Sequence, residues 1–299
     1  MCREYYRYCS VFSISYSFCN VIKLIELKES ITNRSSGSRN SAALAELTVG
    51  IPKDIKMAQD NKIALLIDCD NVSHKSIEGV IDELSKYGKV NIRHAYGNWK
   101  SDSLKGWEEK LHPHAIKPIQ QFAYTTGKNA TDAAMIIDAM DLLYTQKIDA
   151  FALMTSDSDF TPLVMRILSN GITVYGFGEK KTPSPFVKAC SQFIYTENLE
   201  AVEDEGVKPL EKGNSKKSRN ELRMDTALVK LLRTAVEQSA GEDGWSHLGR
   251  VGQYISNNTS FSPVNYGYKK LGDLIRVCDL FEIQMKNDNS VMYIKDVKK

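Results

Sequence analysis

The chain has 299 residues, room for one large domain or two smaller ones, and its 42% hydrophobic and 25% charged content is that of a globular protein with an adequate core. A formal net charge of +2 gives no whole-chain nucleic-acid signal, so any basic surface must be local. The six cysteines form no C-x-x-C pair, and Cys69, Cys190 and Cys278 lie in or beside apolar stretches, which fits reduced thiols in a cytoplasmic protein.

Residues 1–56 are apolar and aromatic at first, then Ser/Asn/Arg-rich. They are too interrupted to span a bilayer and lack a clean cleavage site. They read as a disordered or non-native extension, with Met57 as the natural start; peptides from before Met57 in the native protein would contradict this.

Residues 63–67 form an apolar run of strand length. Ile77, Val80, Ile81 and Leu84 are spaced as on a helix over residues 73–87. Residues 90–96 alternate like a strand, 104–111 read as a short helix and 119–124 as a weaker strand. Residues 132–144 read as a helix apolar nearly all round, hence well buried. A strand over 151–154, a helix over 160–168 and a strand over 172–177 follow. Strands alternating with helices predict an α/β fold, a parallel sheet with helices on both faces.

Residues 201–224 are charged, rich in Gly, Pro, Ser and Lys, and read as a flexible linker. Helical spacing returns over 226–239, 246–255 and 268–280. Two alternating runs then flank the turn signal at residues 287–290, a hairpin. Three helices and a hairpin over residues 225–299 predict a small winged-helix domain.

Four aspartates stand out. Asp68 ends the first apolar run, Asp157 and Asp159 follow the 151–154 strand, and Asp132 opens the 132–144 helix. If the two runs are neighbouring parallel strands, their carboxyl ends meet at one crevice. Each aspartate alone is more often a helix cap or a dipole partner than a ligand. Together they repel one another, and the set makes sense around Mg²⁺ or Mn²⁺, which take hard oxygen ligands and act on phosphate esters. Asn71, Thr155 and Ser156 at the same strand ends and Lys128 before Asp132 are candidate substrate contacts. Asp70, Asp138 and Asp141 rank lower. Scattered histidines argue against zinc, and no phosphate-binding Gly loop or nucleophile elbow is present.

Leu66 to Asn71 (L-I-D-C-D-N), Lys128 to Asp132 (K-N-A-T-D), Met154 to Phe160 (M-T-S-D-S-D-F) and the glycine-ended run at 171–178 together resemble the NYN domain, a PIN-like, Rossmannoid ribonuclease branch, in its LabA-like group. The resemblance covers roughly residues 62–199 and sets the catalytic domain at 57–200. It implies that Asp68, Asp132, Asp157 and Asp159 bind Mg²⁺ or Mn²⁺ and cleave RNA, with Asn71 supporting; Asp70 departs from the usual pattern. Residues 226–297 resemble an OST-HTH (LOTUS) domain, which implies contact with RNA or a protein partner. Tyr266 and Tyr268 are its candidates for base stacking, and Lys269, Lys270 and Arg276 for phosphate contact, against an ordinary solvated face.

The resulting expectation is a metal-dependent endoribonuclease with RNA as partner and no membrane association, homodimerisation remaining open. A non-catalytic RNA-binding regulator is the alternative. A haloacid-dehalogenase-type phosphohydrolase is a weaker one: Asp68 and Asp70 mimic its D-x-D pair, but Lys128 precedes Thr155 in the wrong order.

Overall fold

The computed structural model describes residues 61–121, 130–199, 216–286 and 291–297. The extension expected at 1–56, Lys128, the first part of the expected linker and the hairpin turn at 287–290 lie outside the described residues.

The amino-terminal part is built on strands Lys62–Asp68 (β1), Lys89–Gly97 (β2), Lys117–Gln120 (β3), Ala150–Met154 (β4), Thr173–Gly178 (β5) and Gln192–Tyr195 (β6). They form one sheet in the order β3-β2-β1-β4-β5-β6, with every pairing parallel. Alternation along each strand divides the core into two layers. Ile63, Leu65 and Ile67 of β1 and Ala152 and Met154 of β4 face one layer; Ala64, Leu66, Phe151 and Leu153 face the other. Ile77–Leu84 (α1) and Lys105–Leu111 (α2) cover the first, through Val80, Leu84 and Trp107. Ala130–Thr145 (α3), Thr161–Ser169 (α4) and Ser184–Ala189 (α5) cover the second, through Met135, Ala139, Val164, Ile167 and Phe186. Strands clad on both sides carry continuous apolar runs, which is why β1 and β4 are the plainest elements in the sequence. Each fully buried Leu or Phe contributes about 1.5–3 kcal/mol.

The chain leaves β1 towards β2 on one side and returns at β4 on the other, so the β1/β4 junction is the topological switch point of the sheet.

The carboxy-terminal part has its own core, formed by Arg219–Met224 (α6), Thr226–Gln238 (α7), Leu248–Asn258 (α8) and Leu271–Cys278 (α9) with three short strands. Ser246–His247 (β7), Phe281–Lys286 (β8) and Val291–Asp296 (β9) pair in the antiparallel order β7-β9-β8. The three expected helices and the hairpin are present; α6 and the short β7, at residues expected to begin a helix, are additions to that plan.

Three expectations need correction. The linker does not run to residue 224: Ser218 and Glu221 form a capping box that starts α6, and Leu222 is fully buried in the carboxy-terminal core. The helix α3 is not buried all round. It lies on one face of the sheet, so Met135, Ala139 and Leu142 are buried, while Ile137 is 62% and Tyr144 58% exposed. Residues 268–270 precede α9 rather than belong to it, and Tyr266 ends a 3-10 turn. The elements β6 and α5, four and six residues long, carry no clear period in the sequence. Cys69, Cys190 and Cys278 are buried free thiols, as expected.

Candidate acidic site at the strand ends

Asp68 is the last residue of β1 and only 1% exposed. Its Oδ2 accepts hydrogen bonds from the Thr155 hydroxyl at 2.7 Å and from Asn71 Nδ2 at 2.8 Å. Its Oδ1 is buried and has no hydrogen-bond partner. Burial pushes the carboxyl pKa from 3.8 up to about 6. The two hydrogen bonds oppose that rise, and the negative charges of Asp132 and Asp70 add to it.

Thr155, next to Asp68 across the β1/β4 pairing, is fully buried. Its oxygen also accepts the Asp157 backbone N–H at 3.1 Å. One threonine therefore fixes both the Asp68 carboxylate and the backbone that carries Asp157. Asp157 is extended at φ −90° and caps the turn before α4, its Oδ1 accepting the Asp159 N–H at 2.8 Å. Asp159 is exposed. Asp132, in the first turn of α3, has its pKa raised by burial and then by the charges of Asp157, Asp159 and Asp70. The structure thus brings the four aspartates into one electrostatic neighbourhood and adds Asp70, which sequence reasoning ranked lower.

They do not form a cage. Among the described residues no group of three or more His, Cys, Asp and Glu side chains converges closely enough to hold a metal ion. A cation here would be held by few protein oxygens and several waters, the coordination habit of Mg²⁺. The partnerless Oδ1 of Asp68 and the mutually repelling carboxylates fit such an ion.

Two candidate substrate contacts change role. Thr155 is sealed from solvent and holds Asp68 instead of reaching a substrate. Ser156 Oγ accepts the Glu179 backbone N–H at 2.9 Å, tying the ends of β4 and β5 together. Asn71 is exposed and donates to Asp68, so it can serve both purposes. Beside the aspartates lies a cavity of about 340 Å³ walled by Asp70, Asn71, His74, Ser103, Glu179 and Lys181. His74, Glu179 and Lys181 carried no local sequence signal, because only folding brings their segments to one rim. Asp138 is a structural residue: it takes hydrogen bonds from His94 Nδ1 at 2.6 Å and from the Tyr96 hydroxyl.

In the carboxy-terminal domain, Tyr268 cannot stack on a base. It is 3% exposed, and its hydroxyl donates to the Lys217 carbonyl at 2.6 Å. Tyr266 is half-buried against Phe261, with the Lys217 ammonium 4.6 Å from its ring centroid. Lys269, Lys270 and Arg276 are exposed. No helix among the described residues is long and apolar enough to cross a membrane.

Residues 62–200 match the NYN domain, and residues 223–293 match the OST-HTH/LOTUS domain. An uncharacterized protein of Methanocaldococcus jannaschii is 26% identical over 150 residues, 46% of this chain and 56% of the relative, so the chain spans little more than half of that protein's length. Two solved structures are also similar. A protein of unknown function from Vibrio parahaemolyticus has 19% identity and a TM-score of 0.39 over 48% of this chain and 96% of its own. An uncharacterized protein of Nitrosomonas europaea has 27% identity and a TM-score of 0.22 over 32% and 90% respectively.

Proposed function

Starting from a chain that carries an NYN domain followed by an OST-HTH domain, we propose that the protein is a divalent-metal-dependent endoribonuclease whose site is the aspartate cluster at the β1/β4 switch point. The observation that carries this is Asp68: a fully buried carboxylate at a strand end, fixed on one oxygen by Thr155 and Asn71 and unpartnered on the other. Such a group is costly to keep unless a cation completes it.

Asp68, Asp132, Asp157 and Asp159 would hold the ion, with waters filling the remaining positions. Bound Mg²⁺ or Mn²⁺ would supply charge neutralisation at the phosphate and a more acidic water. The chain's own part is orientation: Thr155 keeps Asp68 and Asp157 in register, and Asn71 aims Asp68 from the rim. The adjoining cavity, whose wall carries Lys181 in an ion pair with Glu179, would take the RNA strand beside the scissile phosphate. Lys269, Lys270 and Arg276, each exposed, are the side chains that would meet RNA backbone on the second domain. The free buried thiols suit a reducing, cytoplasmic setting.

The looseness of the acidic cluster favours a second reading, an RNA-binding regulator without turnover. Incubating the purified chain with end-labelled single- and double-stranded RNA in Mn²⁺, Mg²⁺ or chelator separates the two. Products that require the cation support the nuclease. Salt-dependent binding with no product under any condition supports the regulator, and release of phosphate from small monoesters points instead to a phosphohydrolase.

A further inference from the structure

The outermost strand of a sheet normally presents unpaired N–H and C=O groups that invite another chain. The strand β6 is such an edge, yet the carboxy-terminal domain occupies it. The Phe193 N–H donates to the Ser260 carbonyl at 3.0 Å. Asn265 Nδ2 donates to the Phe193 carbonyl at 2.8 Å, and Asn265 Oδ1 accepts the Tyr195 N–H at 3.0 Å. The Asn265 carboxamide therefore replaces one peptide group of a missing seventh strand, donating and accepting at residues two apart. Its presentation is rigid. Ser262, fully buried, caps the turn that holds Asn265, and Gly267 closes that turn at φ 81°, a conformation that favours glycine. The neighbouring Val264 packs against the apolar layer of the amino-terminal domain.

We propose that Asn265 locks the second domain onto the β6 edge, and that the second domain thereby acts as a ruler for the aspartate site. All strands of the sheet run parallel, so the end of β6 and the end of β4 carrying Asp157 share one rim, two strands or about 10 Å apart. RNA held on the docked domain reaches the aspartates at a fixed offset, which a domain swinging on a tether would not impose. The ruler rests on the nuclease reading; the docking does not.

Amide hydrogen exchange on the full chain, wild type against Asn265→Ala, tests the docking. The Tyr195 amide should exchange slowly in the wild type and about two- to tenfold faster in the variant, the change expected when one hydrogen bond is removed. The Leu65 and Leu153 amides of the core should stay protected in both, showing that the variant is folded. A Tyr195 amide that exchanges at the same rate in both proteins overturns the docking. For the ruler, Asn265→Ala should scatter the product ends from a long single-stranded RNA while cutting a short oligonucleotide at the wild-type rate. Unchanged product ends with a faster-exchanging Tyr195 overturn the ruler alone. A wild type that cuts no RNA overturns the nuclease reading and the ruler with it, and the Tyr195 rate still decides the docking.

Discussion

Replacing Asp68 by Asn should abolish RNA cleavage while making the metal-free protein more stable. In the fold the carboxyl has a pKa of about 6, against 3.8 for its ordinary value. At ~1.36 kcal/mol per pH unit that difference means ionised Asp68 costs the fold about 3 kcal/mol at neutral pH. The sign follows from proton binding. Between pH 4 and 6 the folded chain holds a proton that the unfolded chain has released, so stability falls as pH rises through that window and levels off above it. An Asn at this position still accepts from the Thr155 hydroxyl but never ionises, so its cost does not grow with pH. Urea unfolding in chelator, at steps from pH 4 to 7.5, measures this. The Asp68→Asn protein should gain about 2–3 kcal/mol over wild type at pH 7.5, and the gain should shrink towards zero near pH 4. A variant less stable than wild type at pH 7.5, or a gain that does not vary with pH, would refute the claim that a buried, ionised and incompletely partnered carboxylate sits at this strand end.

Thr155→Val keeps the shape of the side chain but removes the hydroxyl shared by Asp68 and Asp157. The Asp68 pKa should climb further, and the acid limb of the pH–rate profile should move to higher pH with a loss of kcat. An unmoved limb would deny Thr155 its positioning role. Asp138→Ala strands His94 and Tyr96 beneath α3 and should cost roughly 2–3 kcal/mol in unfolding, with cleavage per folded molecule unchanged. Cleavage abolished at unchanged stability would instead place Asp138 in the site. Tyr268→Ala should destabilise the second domain by about 3–5 kcal/mol, the range for truncating a buried aromatic. Lys269→Ala with Lys270→Ala should leave stability alone and make the plot of log affinity against log salt shallower, by about one for each phosphate the protein no longer neutralises.

What could be read from the sequence was whatever burial stamps onto a local period. The strands β1 and β4 are clad on both faces and appear as unbroken apolar runs, and the aspartates at their ends follow directly from that reading. The elements β6 and α5 are too short to show a period. The apolar residues of α3 gave the wrong impression, because a helix on one face of a sheet leaves Ile137 and Tyr144 outside. Tyr268 looked like a stacking residue only while its neighbours were unknown. The roles of Thr155, Asp138 and Asn265 depend on partners 87, 44 and 70 residues away, and no local pattern records such a pairing. Asp70 looked peripheral because its influence on Asp68 and Asp132 is electrostatic and acts through space.

On the proposed reading, the aspartates at the β1/β4 junction cleave RNA with a bound divalent ion. The most direct test is single-turnover cleavage of an end-labelled single-stranded RNA in Mn²⁺, comparing wild type with Asp157→Asn at protein concentrations that saturate binding in both. Cleavage by the wild type that stops in chelator and falls at least about a hundredfold in the variant, on the order of the effect of removing one group that stabilises transition-state charge, is the expected result. Equal rates in the two proteins, or cleavage that continues in chelator, would contradict it.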